Sequence, residues 1–188
     1  MKTRVFGRFL MVAAVVTSAA LASNKGITNK PRTDEDLAKA VRHEVLMYPR
    51  YTLWDDINYR VNNGNVELSG AVSQPYKRDD IGRLVKDIPG VETVTNDIKV
   101  LPLSPNDDRL RLQIARAIYR DPSLSRYAMG AVPSIHIIVD NGHVTLTGAV
   151  NNAMDKQIAG MRASSAGLSF GPVENDLTVD KAPTKHKS

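Results

Sequence analysis

Cysteine is absent from all 188 residues of this chain. Disulfide bonds, thiolate metal sites and cysteine nucleophiles are therefore excluded. Aromatic residues are also few, at 5% of the sequence, which leaves few side chains on which the bases of a nucleic acid could stack. In an exported protein, such a lack of cysteine suits the bacterial envelope, where free thiols would be oxidised.

Motifs of catalysis and cofactor binding are missing as well. The sequence has no H-x-x-x-H pair, no G-x-S-x-G turn, no phosphate-binding loop and no dinucleotide fingerprint. Counting from the nearest predicted turn pairs His136 with Thr147 and His143 with Asp140, so these two histidines are not cross-strand partners. We expect no enzyme activity, no cofactor, no metal ion, no small-molecule substrate and no nucleic acid partner.

The first segment, residues 1–22, is predicted to be a signal peptide. A basic stretch ending at Arg8 precedes an uncharged apolar run over 9–21, which is short for a membrane span. Small residues at its end favour cleavage before Ser23, and the alternative is an uncleaved anchor helix. Because no cysteine follows this position, we expect a periplasmic protein that is not a lipoprotein.

The rest of the chain contains one pattern twice. NGNVELSGAV at 63–72 matches NGHVTLTGAV at 141–150, and VTNDIKV at 94–100 matches VENDLTV at 173–179. Apolar residues of an upstream helix also match at one constant offset. Three matched blocks in the same order indicate a duplicated domain.

The matched blocks set the predicted boundaries. Repeat one covers about 33–102 and repeat two about 105–180. Two prolines within 101–105 predict a short stiff linker between them. The basic residues of 181–188 predict a disordered tail.

Each repeat is predicted to begin with an amphipathic helix and a hairpin. Thr33 or Asp34 is the expected N-cap of the helix in repeat one, and Asn106 or Asp107 in repeat two. Asn-Gly between two alternating strands indicates a type I′ hairpin, because that turn needs a positive φ at both central residues.

A second helix and a last strand complete each repeat. The second helices are expected at about 74–87 and 151–165, the latter with Met154, Ile158 and Met161 as its apolar face. The predicted fold class is α+β: two tandem αββαβ domains, each a three-stranded sheet with two helices packed on one face.

Two groups of residues carry a family resemblance. The first group ends the hairpin with Val66, Leu68, Gly70 and Val72, and the second is Gly90, Val91, Val94, Asn96, Ile98 and Val100. Repeat two has most of the same residues, although its turn before the last strand is longer. This pattern resembles the BON domain of bacterial envelope proteins. The resemblance implies a role in envelope maintenance, with binding to anionic phospholipid as the expected activity.

The first helix of repeat two is the predicted binding surface. Residues 109–120 read RLRLQIARAIYR, with four arginines and no acid. Arg109, Arg116 and Arg120, called here the arginine row, fall within about 40° of one another on a helical wheel. Such a row could bind lipid phosphates.

Apolar side chains are expected beside the arginine row. Leu112 and Tyr119 are predicted to lie together between this row and Arg111, where their apolar atoms would enter the acyl boundary. The predicted phospholipid-binding residues are Arg109, Arg111, Leu112, Arg116, Tyr119 and Arg120. The matching segment 36–47 has no net charge, so repeat one is interpreted as scaffold and repeat two as the binder.

Other interpretations of this helix and of the protein stay open. The arginines could form a solvated face, or they could pair with acids of repeat one: Asp55, Asp56, Asp79 or Asp80. The protein could instead bind envelope proteins or glycans, or act as a stress chaperone, through the exposed face of a sheet.

Overall fold

The computed structural model describes residues 33–167 and 169–180. The predicted signal peptide and basic tail lie outside the described residues. Repeat one contains two helices and four strands: α1 Asp34–Met47, β1 Asp56–Asn62, β2 Asn65–Val72, α2 Pro75–Lys86, β3 Thr93–Asn96 and β4 Lys99–Val100. Repeat two follows the same order: α3 Pro105–Tyr119, β5 Ile135–Asp140, β6 His143–Val150, α4 Ala153–Ser165, β7 Glu174–Asn175 and β8 Thr178–Val179.

Both sheets have the same topology. An antiparallel hairpin is followed by a last strand that pairs in parallel with the second hairpin strand and is split into two short pieces. Asn96 lies opposite Leu68 and Asn175 lies opposite Leu146, so the longer turn of repeat two does not shift its register. The α+β prediction of two αββαβ domains is confirmed.

The predicted hairpins and the predicted core stripes of the two first helices are also confirmed. Both residues of each Asn-Gly turn have positive φ, for example 49° at Asn63 and 78° at Gly64. His136 pairs with Thr147 and His143 with Asp140, as the counting predicted. The buried faces of the first helices consist of Leu37, Val41 and Val45 in α1, and Leu110, Ile114 and Ile118 in α3.

An aspartate in each first helix binds the hairpin turn. The Asp34 carboxylate accepts hydrogen bonds from the N–H of Asn63 at 2.7 Å and of Gly64 at 3.1 Å. Asp107 does the same for Asn141 and Gly142, both at 2.9 Å. The helix start and the hairpin tip are therefore held together in both repeats.

This role of the aspartates corrects one predicted cap. Thr33 is the N-cap of α1, with a reciprocal capping box to Asp36. The N-cap of α3 is Ser104, whose hydroxyl accepts from the N–H of Asp107 at 3.2 Å, and Pro105 occupies the first turn. The prediction of Asn106 or Asp107 was wrong because the Asp107 carboxylate binds the hairpin instead.

Helix α4 is rotated relative to the prediction. Its buried residues are Asp155, Ala159 and Ala163, while Met154 and Met161 are each 62% exposed. The helix lies close to the last strand, since a Cβ on Gly160 would be 2.7 Å from the Asn175 amide nitrogen. This close approach requires small residues on the inner face, so the two methionines point outward.

The two repeats contact each other through the segment 51–55 and strand β5. The N–H of Ile137 donates to the Leu53 carbonyl at 2.8 Å, and the His136 ring Nδ1 lies 2.5 Å from the Asp55 carbonyl. Leu53 and Trp54 pack against the core of repeat two. Repeat one thus covers part of the exposed edge of the sheet in repeat two.

A buried ion pair fixes the end of this contact segment. Lys77 Nζ donates to the Asp55 carboxylate at 2.6 Å, and both side chains are almost inaccessible to solvent. Ser73 and Thr52 donate to the same carboxylate. Burial alone would raise the pKa of Asp55, but the hydrogen bonds from Lys77, Ser73 and Thr52 outweigh burial and hold that pKa below its ordinary value of about 3.8.

Replacing Asp55 by alanine should destabilise the protein strongly. Asp55→Ala leaves Lys77 buried without its partner, which we expect to lower the free energy of unfolding by about 3–5 kcal/mol. Urea unfolding followed by circular dichroism measures this. Asp56→Ala is the matched control, because Asp56 only accepts from the Asn58 amide at the surface. Equal losses in the two variants would contradict a structural role for the buried pair.

The lowered pKa of Asp55 predicts a dependence of stability on pH. Its contribution is present above the pKa of the unfolded state, about 4, and is lost as pH falls through the lower pKa of the folded state. The free energy of unfolding of the wild type should therefore fall on acidification below about pH 4. In Asp55→Asn the fall should be smaller, as measured by urea titrations at several pH values; an identical slope would be the contrary result.

Candidate functional site

The arginine row lies on the outer face of α3. Arg109, Arg116 and Arg120 are all exposed. Within residues 33–167 and 169–180, none of the three side chains has an ion pair or hydrogen bond. The row is therefore a patch of unneutralised positive charge on one side of repeat two.

The acids of repeat one do not pair with this row. Asp55 binds Lys77, and Asp56 accepts from the Asn58 amide. Asp79 pairs with Arg78, and Asp80 pairs with Arg83 while also accepting from the Tyr48 hydroxyl at 2.7 Å. All four acids proposed as partners are engaged within repeat one, so that alternative was wrong.

Arg111 does not belong to the exposed surface. Its side chain is 6% exposed, donates to Asp108 at 2.6 Å and donates to the Val139 carbonyl at 2.6 Å. Val139 belongs to β5, whose outer edge has no neighbouring strand in the described sheet. The expectation that Arg111 is available to a lipid phosphate was wrong, because its guanidinium caps the edge of β5.

Tyr119 also binds the outer edge of β5, at the beginning of that strand. Its hydroxyl donates to the Ile135 carbonyl at 2.5 Å, and its ring packs against the core of repeat two. Burial raises the pKa of Tyr119 well above its usual range. The expected exposed pair of Leu112 and Tyr119 is thus absent, since Tyr119 is turned toward β5.

Leu112 alone of the two apolar residues remains at the surface. It is 48% exposed and lines a hollow of about 320 Å³ with Trp54, Gln74 and Arg111. It therefore faces the junction with repeat one as well as the solvent.

Two residues of α4 that the sequence predicted to be in the core are exposed instead. Helix α4 packs against α3. Met154 and Met161 are seven residues apart and therefore share one side of α4. We call them the methionine pair.

Repeat one differs at every matching position. Where α3 has Arg109, Arg116 and Arg120, α1 has Asp36, His43 and Met47. Where α4 has the methionine pair, α2 has Tyr76 and Arg83. At these matched positions, repeat two therefore has exposed arginines on α3 and exposed methionines on α4 where repeat one has other residues.

Two other kinds of site are not found among the described residues. In those ranges, no cluster of three or more histidines and acids could hold a metal ion. Likewise, none of the helices that the structure describes is long and apolar enough to cross a membrane.

Comparison with known families agrees with the duplicated architecture. The BON domain family matches residues 33–102 and again residues 106–181. The chain belongs to the BON domain family. This family consists of non-catalytic domains and supports a non-enzymatic, envelope-associated protein. Among curated proteins, no sequence matches the chain.

Solved structures with some similarity come from Chlamydia trachomatis. One is CdsD, a structural protein of the type III secretion system, with 13% identity and a TM-score of 0.30 over 77% of this chain and 61% of that chain. Another is the C-terminal domain of CdsD, with 14% identity and a TM-score of 0.27 over 80% of this chain and 100% of that chain. This chain thus spans 61% of the length of the first CdsD structure.

Substitutions in α3 should separate the structural arginine from the exposed row. Arg111→Leu leaves the Val139 carbonyl without its donor, and we expect the free energy of unfolding to fall by about 1–3 kcal/mol. Arg116→Leu removes an exposed side chain without partners and should change it by less than about 0.5 kcal/mol. Urea unfolding of both variants provides the measurement. A larger loss in Arg116→Leu would contradict the assignment.

Proposed function

We propose that this BON protein is a periplasmic envelope protein that binds anionic phospholipid surfaces through the outer helical face of repeat two. In this proposal it supports envelope integrity under stress. The single observation that carries the proposal is the arginine row, whose three guanidiniums have no partner among the described residues.

The charge of the row favours a phosphate-bearing surface. A guanidinium binds phosphate oxygens through paired hydrogen bonds, and it stays charged at any physiological pH. Each basic residue near an anionic leaflet contributes about 1 kcal/mol of attraction. Three unpaired arginines on one helix face match a plane of lipid phosphates better than a single small anion.

The methionine pair supports the same choice of partner. Met154 and Met161 expose flexible apolar side chains on α4, the helix that packs against α3. An amphipathic surface of this kind can lie in the interface, with cations at the headgroups and apolar atoms at the acyl boundary.

The alternative of a protein-binding or chaperone-like module relied on an exposed sheet face. In repeat two this face is partly occupied, because His136 contacts Tyr51 and Asp140 pairs with Lys99. In repeat one the outward residues of the hairpin are polar, including Asn58, Arg60 and Glu67. The helical face of repeat two therefore offers a better apolar surface for binding another protein than the exposed face of either sheet.

Vesicle binding tests the proposed function directly. The purified protein should sediment with vesicles that contain phosphatidylglycerol, and high salt should reduce this binding. Arg116→Glu with Arg120→Glu removes two favourable contacts, so binding should weaken by at least about thirtyfold.

A charge-matched variant is the control for this experiment. Arg42→Glu with Lys86→Glu changes two exposed basic residues of repeat one, so the net charge changes equally. It should bind nearly as the wild type does. No binding of the wild type under any condition, or equal weakening in both double variants, would contradict the proposed surface and favour a protein partner.

A further inference from the structure

Phe170 occupies the same structural position in repeat two as Glu92 in repeat one. The N–H of Glu92 donates to the Gly64 carbonyl at 2.8 Å, and the N–H of Phe170 donates to the Gly142 carbonyl at 3.0 Å. Each side chain lies over the glycine of its hairpin turn, since a Cβ on Gly142 would be 2.5 Å from the Phe170 ring. At this matching position over the hairpin turn, repeat one thus has an acid and repeat two has an aromatic residue.

Phe170 is exposed in that position. Its side chain is 80% accessible to solvent, although phenylalanine is normally buried. The sequence contains only three phenylalanines in all, and Phe9 and Phe6 lie in the predicted signal peptide. An exposed aromatic side chain held by a backbone hydrogen bond at a hairpin tip is a feature that the core of repeat two does not require.

Arg109 lies beside Phe170 in the same hollow. The hollow has a volume of about 560 Å³, and its lining includes Phe170, Arg109, Gln113 and Asn106. The corresponding end of repeat one is acidic, with Asp36 at the position of Arg109 and Glu92 at the position of Phe170. This end of the domain is therefore acidic in repeat one, whereas it is cationic and apolar in repeat two.

The acids that remain at this end of repeat two are engaged. Asp107 is 3% exposed and binds the hairpin turn, and Asp108 pairs with Arg111. Arg109 therefore has no acidic partner among the described residues. Arg116 and Arg120 extend this positive charge along the outer face of α3.

We propose that Phe170 inserts into the acyl boundary of an anionic phospholipid bilayer while Arg109 binds a lipid phosphate. This inference rests on the proposed function and adds to it a point of insertion at the hairpin end of repeat two. Aromatic rings favour the membrane interface, and a guanidinium beside the ring matches the headgroup layer directly above it. A bilayer fits better than a protein partner because the exposed cationic row extends along α3 from Arg109 to Arg120, which matches a plane of lipid phosphates.

Tryptophan fluorescence tests the insertion. Trp54 is the only tryptophan of the chain, and it packs against the core of repeat two. Phe170→Trp adds a reporter at the proposed point, and vesicles of equal parts phosphatidylglycerol and phosphatidylcholine, brominated on the acyl chains, serve as the probe. We expect a blue shift and quenching of the added emission, measured against the wild type, whose Trp54 signal should not change.

Met129→Trp is the matched control, because Met129 is also 80% exposed but lies in the loop before β5. Its added emission should be neither shifted nor quenched. Phe170→Glu, which restores the side chain of repeat one, should weaken vesicle binding on the order of tenfold, because it removes the apolar insertion. Because Phe170 is exposed, neither Phe170→Trp nor Phe170→Glu should disturb folding. Circular dichroism checks this.

The outcomes separate this inference from the proposed function. Vesicle binding by the wild type without acyl-chain quenching of Phe170→Trp would overturn the insertion and leave the arginine row as the binding surface. Equal quenching of Met129→Trp would also overturn it, since insertion would not be specific to the hairpin end. Absence of vesicle binding by the wild type would overturn the proposed function and this inference together.

Discussion

In each repeat, one aspartate of the first helix accepts hydrogen bonds from both N–H groups of the Asn-Gly turn. Asp34 and Asp107 thereby join the start of a helix to the tip of a hairpin. Hydrogen bonds to a carboxylate are stronger than those between neutral groups, so this contact fixes the helix along the sheet. The direction of α3, and with it the placement of Arg109 beside the hairpin tip, depends on this contact.

The second constraint is the free edge of β5. Backbone groups at a sheet edge need partners, and here they receive them from three sources: Arg111, Tyr119 and the Leu53 carbonyl. At the positions of Arg111 and Tyr119, α1 has Ala38 and Leu46, which cannot donate such bonds. The sequence differences between the repeats therefore account both for the hydrogen-bonded edge of β5 and for the altered outer face of α3.

The candidate surface could be predicted only in part. The helical period placed Arg109, Arg116 and Arg120 together, and the structure has them exposed on one face. The same period could not reveal that Arg111 and Tyr119 reach β5, because a helical wheel gives angles and not neighbours. Phe170 was missed because it lies in an irregular turn, where no periodic pattern exists to indicate exposure. Comparison of the two repeats at Glu92 and Phe170 was the signal that could have found it.

The sequence by itself determined the duplication, the element order, the hairpins and the cores of the first helices. These features are local: turn chemistry and apolar spacing act between residues a few positions apart. The tertiary structure decided the rotation of α4, the cap of α3 and the partners of Arg111 and Tyr119. Each of these depends on which elements meet in space. Two such contacts determine which residues of repeat two face outward: Gly160 of α4 lies close to Asn175, and α3 binds the free edge of β5.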